Sequence, residues 1–315
     1  MKIKILVTGG SGFIGSALVY SLLAKQKYYV VVVDDLSTGD IQKLPPRDTP
    51  NFKFIRCDVN DYQSIAAVMH SYKFDFVFHY AAMVGVIRTQ QQPLKVLQDI
   101  DGIRNVCNLS KNTGVKRLFF ASSSEIYGEP FEIPQHVYTT PLNSRVPYAI
   151  VKNVGEAYLR SYYQEFGLEY SIFRFFNTYG PKQSMDFVIS KFMIKALNNQ
   201  NIEIYGDGSQ TRTFCYIDDN IEACVNAFEQ NLVVNDVANI GGNTEISIRE
   251  LAEIIIQKTG SKSKIVSVPP LKDGDMHRRC PDNTFMKEQL LQRELLSLDA
   301  GIEKLLTIGL FDNSK

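Results

Sequence analysis

The sequence predicts an α/β fold, a doubly wound parallel sheet followed by a smaller C-terminal α/β lobe. Strand-length apolar runs alternate with helical patterns through the first half of the chain. The first run opens directly into a glycine-rich turn and a helix, and the regular rhythm stops after Pro181. At roughly 150 residues per domain, 315 residues allow one large or two ordinary domains. We expect residues 1–178 to form the first, with segments near 212–240 returning to it, and 179–315 to form mainly the second.

Ile3–Thr8 is a near-continuous apolar run with β-branched residues, as a strand buried on both faces requires. A helical pattern covers 13–25 and a second strand 29–33. Phe52–Arg56, Phe76–His79 and 118–121 read as the third, fourth and fifth strands. Helical patterns fill 62–71 and 93–113, the latter with Pro93 in the first turn, where a missing N–H is tolerated. A helix over 148–166 leads into a sixth strand at 170–174. Beyond Pro181 come helices at 188–198, 217–230 and 248–258 and strands at Ile202–Tyr205 and Ile265–Val268. The pairs Pro45-Pro46 and Pro269-Pro270 mark loops.

Composition removes several classes of function. The 34 basic and 34 acidic residues cancel, so no field draws the chain to nucleic acid or an anionic membrane. The longest apolar runs, such as 28–33, fall far short of the roughly 18 residues that span a bilayer. Lys2 and Lys4 precede a glycine turn with no small-residue cleavage site, so a cytoplasmic protein is expected. Five scattered cysteines without C-x-x-C spacing fit reduced thiols. Four scattered histidines give no ligand spacing, and no metal site is expected.

Gly9-Gly10-Ser11-Gly12-Phe13-Ile14-Gly15 lies between the first strand and its helix. Glycines three apart let the backbone turn, approach a pyrophosphate and pack the helix on the sheet, the Rossmann-type arrangement. The anion then meets free N–H groups at the positive end of a helix. Asp34 ends the next strand, 19 residues past Gly15. A carboxylate there can take both ribose hydroxyls and repels a 2′-phosphate, which favours NAD over NADP. Its alternative role is to begin the turn over 34–39. Asp58, ending the third strand, can accept from the adenine amino group or simply shape its loop.

Tyr148 and Lys152 form Tyr-x-x-x-Lys, which places both on one helix face a turn apart. An ammonium beside a phenol favours the phenolate, pulling the tyrosine below its usual value near 10. Such a tyrosine accepts a carbinol proton as hydride leaves for nicotinamide. Ser122-Ser123-Ser124 ends the fifth strand.

With these pieces in place, the chain resembles the extended short-chain dehydrogenase/reductase family of nucleotide-sugar epimerases, dehydratases and decarboxylases. The resemblance rests on 8–15, 34–39, His79-Tyr80-Ala81-Ala82, 122–128, 148–152, 174–181 and 206–219. It implies NAD held through the catalytic cycle by Gly9, Gly12, Phe13, Ile14, Gly15, Asp34, Ser37, Thr38, Gly39, Asp58, Val59, Tyr80, Ala81, Ala82, Tyr148 and Lys152. It also implies a smaller lobe that takes a nucleoside-diphosphate sugar, and a homodimer or higher homo-oligomer through 93–113 and 148–166. Ser123, four before Tyr127, stands where the family places a Ser or Thr on the sugar 4-hydroxyl. Asn177 resembles the asparagine that touches the substrate phosphate. Arg212 and either Arg278 or Arg279 resemble the arginines on the diphosphate, a task suited to a permanently charged, bidentate group; the Arg278-Arg279 pair is otherwise a solvated basic step. Val84 and Ser124 join the expected substrate contacts, with Val188, Glu203 and Tyr205 near the base.

All members of such a family begin by making a 4-keto sugar. Ser124 replaces the Asp of dTDP-glucose-type dehydratases, which speaks against that reaction, while Glu125 is retained as a second acid/base or a loop residue. The 34–39 turn and the Ala81-Ala82-Met83-Val84-Gly85-Val86 loop look more like 4-epimerases, the expected net reaction. The alternatives are a 4,6-dehydratase, a decarboxylase, a net 4-dehydrogenase, and a noncatalytic NAD(H)-binding sensor. Two departures stand out: Val151 replaces the usual Ser beside Lys152, and Thr213 the usual Asp.

Overall fold

The computed structural model describes residues 2–270 and 276–308. The chain divides into two compact units, one of Met1–Ile126, Ser144–Arg174 and Ile221–Ala238, the other of Tyr127–Asn143, Phe175–Asn220 and Asn239–Lys315.

The first unit is built on β1 (Ile3–Thr8), α1 (Phe13–Ala24), β2 (Tyr28–Asp34), β3 (Phe52–Arg56), α2 (Tyr62–Tyr72) and β4 (Phe76–His79). It continues through α3 (Val86–Gln91), α4 (Pro93–Leu97), α5 (Asp99–Thr113), β5 (Arg117–Ser123), α6 (Pro147–Phe166) and β6 (Glu169–Phe175). The second unit contributes β7 (Thr178–Tyr179), α7 (Val188–Leu197), β8 (Ile202–Tyr205), β9 (Thr211–Thr213) and β10 (Cys215–Tyr216). Next come α8 (Ile217–Glu229), which leads back into the first unit, and β11 (Asp236–Ile240). The chain then forms β12 (Glu245–Ser247), α9 (Ile248–Thr259), β13 (Ile265–Val268) and α10 (Leu298–Ile308). No described helix is long and apolar enough to cross a membrane.

Seven strands form one sheet in the order β11-β6-β5-β4-β1-β2-β3, the doubly wound architecture the alternating pattern predicts. The order reverses between β1 and β4, the kind of switch point where the carboxyl ends of strands leave a crevice. Register sets what stands there: Thr8 lies opposite Val33 on β2 and His79 on β4, and Asp34 opposite Arg56 on β3. Residues just past these positions therefore share one rim of the sheet.

Ile5–Val7 and Val30–Val33 are fully buried, as central parallel strands must be. Phe78 stacks on Phe119 at 4.3 Å, and Phe228 of α8 meets both edge-on at 5.7 and 5.5 Å. That wedge gives the apolar face of α8 a place in the first unit, although it follows the residues of the second in sequence.

α6 lies close on β5 because position 155 is glycine: a Cβ there would stand 2.3 Å from the Phe120 ring. One residue on, Glu156 is fully buried and its carboxylate is saturated. It accepts from Ser122 Oγ (2.7 Å), Arg174 Nε (2.8 Å) and Nη2 (2.7 Å), and Arg160 Nη2 (3.0 Å). A buried charge is tolerated only with such full pairing.

Helix 93–113 is interrupted at Gln98, which separates α4 from α5. Strands β7, β9 and β10 have two or three residues, too few to show a period, and pair as β7 with β10 and β9 with β12. In the second unit, Ser247 and Glu250 cap α9 reciprocally, and Tyr127 donates to Asn239 Oδ1 at 2.8 Å.

Candidate active site

The expected cofactor residues all belong to the first unit. Gly9 follows β1 with φ +67°, and a Cβ on it would stand 2.6 Å from the Ala81 backbone. A Cβ on Gly15 would stand 2.3 Å from the Gly9 carbonyl oxygen, so α1 and its turn are in backbone contact. Gly12 caps α1 without a side-chain hydrogen bond, which leaves the first-turn N–H groups of Phe13, Ile14 and Gly15 available to an anion. Asp34 is 8% exposed and holds the turn together: Oδ2 accepts from Ser11 N (3.0 Å) and Oδ1 from Leu36 N (2.9 Å). Gly39 brings the 37–39 segment against it, since a Cβ there would lie 2.7 Å from Asp34 Oδ1. The buried Ser11 hydroxyl finds no partner among the described residues. A cradle that any Cβ would fill, an uncapped helix start and a carboxylate with lone pairs to spare fit NAD.

The β4 side of the cradle is pinned by a residue the sequence reading did not single out. Thr8 Oγ1 accepts from the N–H groups of Tyr80 (3.2 Å) and Ala81 (3.1 Å). The same hydroxyl is hydrogen-bonded to His79 Nδ1 at 2.8 Å. His79 is a neutral imidazole, pushed down to about 3 by burial and by the Lys152 charge. The signal was the pairing of Thr8 with His79, visible only in the register. Asp58 and Val59 follow β3, where Asp58 bonds Asn60 N at 2.9 Å.

The expected catalytic residues lie on β5, the turn after it and α6. Lys152 is 3% exposed, and its Nζ donates to Ala121 O at 2.7 Å. The ammonium stands 5.1 Å from the Phe120 ring centre and 5.7 Å from that of Tyr148. Burial pushes it down to about 8, with Asp99 pulling the other way. Ser123 ends β5 and accepts from Glu125 N at 3.2 Å; Ser124 beside it is buried. Val84, just past the cradle, is exposed.

The lowered Lys152 value has a measurable consequence. Folded, the side chain sheds its proton near pH 8; unfolded, it keeps it to about 10.5. The burial cost is therefore full below pH 8 and fades as pH rises toward 10.5. Lys152→Met is expected to raise stability at pH 7 by about 3 kcal/mol, less the lost bond to Ala121. Urea unfolding at pH 7 and pH 10 checks it: the gap must shrink at the higher pH.

The expected substrate residues outside 81–124 belong to the second unit. Asn177 donates through Nδ2 to Thr213 O (3.1 Å), beside Arg212, which is buried and donates to Thr211 O (2.7 Å). Val188 begins α7; Glu203 is paired with Lys195 (2.9 Å), and Tyr205 sits under Lys191 Nζ at 5.8 Å. The two adjacent arginines separate: Arg278 is exposed and forms a two-point pair with Glu245, whereas Arg279 is buried.

Residues 5–241 match the model of the NAD-dependent epimerase/dehydratase family. The chain is 35% identical to the UDP-N-acetyl-alpha-D-glucosaminuronate decarboxylase of Bacillus cytotoxicus, over 96% of this chain and 97% of that protein. It superposes on a UDP-glucose 4-epimerase of Thermotoga maritima solved with UDP-glucose, with a TM-score of 0.91, 32% identity and 98% of each chain covered. A UDP-glucose 4-epimerase of Thermus thermophilus in complex with NAD gives a TM-score of 0.89 at 27% identity, covering 99% of this chain and 100% of that one.

Proposed function

The chain belongs to the NAD-dependent epimerase/dehydratase family, and on that premise we propose that it is a nucleotide-sugar 4-epimerase. The observation that carries this reading is the buried Lys152, tethered to β5 at Ala121 O with its charge beside the Tyr148 ring, while Ser123 closes the same strand. NAD, when bound, supplies the two-electron oxidation at C4 and its reversal.

Tyr148, as phenolate, takes the proton of the sugar 4-hydroxyl, and Ser123 holds that hydroxyl in line through a hydrogen bond. Lys152 stabilises the phenolate by its charge and has N–H bonds left for a ribose hydroxyl. The 4-keto sugar then turns and is reduced on its other face, with Tyr148 returning the proton. The Gly9–Gly15 turn and Asp34 hold the cofactor, supported by Ser37, Thr38, Asp58 and the 80–82 segment. For the diphosphate we assign Asn177, Arg212 and Arg279; Arg278, already matched by Glu245, is left out. We also propose a cytoplasmic homodimer through α5 and α6, supported by exposed Ile150, Tyr163 and Phe166 on α6.

A decarboxylase is the second reading, favoured by one observation: Glu125 sits in the turn whose N–H bonds the Ser123 hydroxyl, next to the reacting position. One experiment separates these. The protein is incubated with UDP-, GDP-, dTDP- and CDP-sugars, including uronic acids, and products are weighed by mass spectrometry with absorbance followed near 340 nm. The epimerase reading expects unchanged mass, with NMR locating inversion at C4. Loss of 44 Da makes it a decarboxylase, loss of 18 Da a dehydratase, and loss of 2 Da with accumulating NADH a dehydrogenase. No turnover of any sugar would leave NAD(H) sensing.

A further inference from the structure

The turn after β2 carries a strained residue beside the carboxylate assigned to the ribose. Leu36 has φ +63°, the left-handed region that costs an L side chain free energy and costs glycine none. Rotating the peptide group between residues 35 and 36 returns Leu36 to negative φ, just as type I and type II turns differ by one such flip. The orientation of that single group therefore decides whether the strain persists. It is bonded at both ends. Its N–H, from Leu36, donates to Asp34 Oδ1 at 2.9 Å, and its carbonyl, from Asp35, accepts Arg56 Nε at 3.3 Å. The Asp35 side chain supports the next step of the turn, where Oδ1 accepts Ser37 N at 2.9 Å and Ser37 Oγ at 2.8 Å.

Arg56 reaches this carbonyl from β3. It is the register partner of Asp34, and Cys57 N donates to Asp34 O at 3.1 Å, so the ends of β2 and β3 are tied at this level. Opposite charges in register on neighbouring strands are placed to attract one another. Here the Arg56 Nε turns to the Asp35 carbonyl instead, and the peptide group stands between the two charges. The N–H and C=O of a trans amide point opposite ways, so Asp34 and Arg56 occupy opposite edges of one amide. The carboxylate is thereby oriented by the N–H groups of Ser11 and Leu36 and keeps lone pairs for hydroxyl donors. Turned over, the amide would set the Asp35 oxygen against the Asp34 oxygens, acceptor against acceptor. Arg56 itself is exposed, so truncating its guanidinium opens no cavity in the core.

Resting on the reading that Asp34 takes the adenosine ribose of NAD, we propose that Arg56 is a positioning residue for the cofactor. By holding the Asp35 carbonyl, it keeps the 35–36 peptide turned so that its N–H orients the Asp34 carboxylate. It acts through the backbone and Asp34, and not on the nucleotide. The left-handed Leu36 is the conformation that this orientation requires, strain held in place by its surroundings at a binding site. Without the guanidinium, Leu36 favours the flipped peptide, and the carboxylate loses one of its two N–H donors.

Arg56→Met tests this, because methionine keeps an unbranched stem and cannot donate. NAD is titrated calorimetrically into the full chain freed of nucleotide, and thermal melts are recorded beside it. The expected result is NAD binding weaker by about fivefold, the worth of one such hydrogen bond, with an unchanged melting temperature. Adding Leu36→Gly to Arg56→Met is expected to bring the affinity back to within about twofold, since glycine holds φ +63° without strain. Leu36→Gly alone is expected to leave NAD affinity within the same margin. NAD affinity unmoved in Arg56→Met overturns the proposal. So does a fall that Leu36→Gly does not recover, because the guanidinium then acts on the nucleotide itself or through its charge. Asp34→Ala reads the ribose assignment separately. Unchanged NAD affinity there removes that assignment and the proposal with it, whereas a fall there with Arg56→Met unmoved removes the proposal alone. No arm needs a sugar substrate, so the result is independent of the epimerase reading.

Discussion

Tyr148→Phe is expected to lower sugar turnover about 10³-fold while NAD binding and thermal stability stay at their unmodified values. The substitution removes one oxygen and keeps the ring on α6, with the Lys152 ammonium 5.7 Å from its centre. The bonds that shape the cradle come from other residues: Asp34 holds the turn through Ser11 N and Leu36 N, and Thr8 is linked to His79. The loss therefore falls on kcat, because the proton of the 4-hydroxyl has no acceptor of matched basicity. Steady-state kinetics on the sugar found by mass spectrometry, beside an NAD titration, measure both halves. Turnover that survives the change would refute the acid/base role of Tyr148.

Gly15→Ala is expected to weaken NAD binding more than tenfold and to cost about 1–3 kcal/mol of stability, the range for overpacking. The new Cβ would lie 2.3 Å from the Gly9 carbonyl oxygen and 2.9 Å from Gly10 Cα. Both are backbone atoms of the phosphate turn, so no side chain can rotate away and the start of α1 must shift. Gly114→Ala provides the contrast. There a Cβ meets nothing within 4 Å, and the φ of +79° brings strain of about 1 kcal/mol without touching the cofactor. NAD titration and thermal melts of both variants separate the two effects. Equal NAD affinity in Gly15→Ala and the unmodified protein would remove the pyrophosphate role of this turn.

The strands and long helices of the first unit were legible because their apolar periods are local and repeat within the span of each element. β1, β3 and β4 form where the pattern puts them. The interruption at Gln98 was not visible, since the helical period continues across it. The π-helical turn at Met286–Leu291 and α10 also went unread. Their side chains become a buried face only against the rest of the second unit.

By itself the sequence determined the alternation of strand and helix, the glycine spacing that admits a pyrophosphate, the carboxylate at the end of β2, and Tyr148 and Lys152 a turn apart. Each is a relation between residues close in the chain, set by backbone geometry. Only the tertiary structure decided the charge states and the partners. It gave Lys152 its low value, kept His79 neutral by burying it, matched Arg278 to Glu245 while burying Arg279, and saturated Glu156 with Arg174. Those properties depend on the loss of water and on groups brought together from distant segments, and neither is written in local spacing.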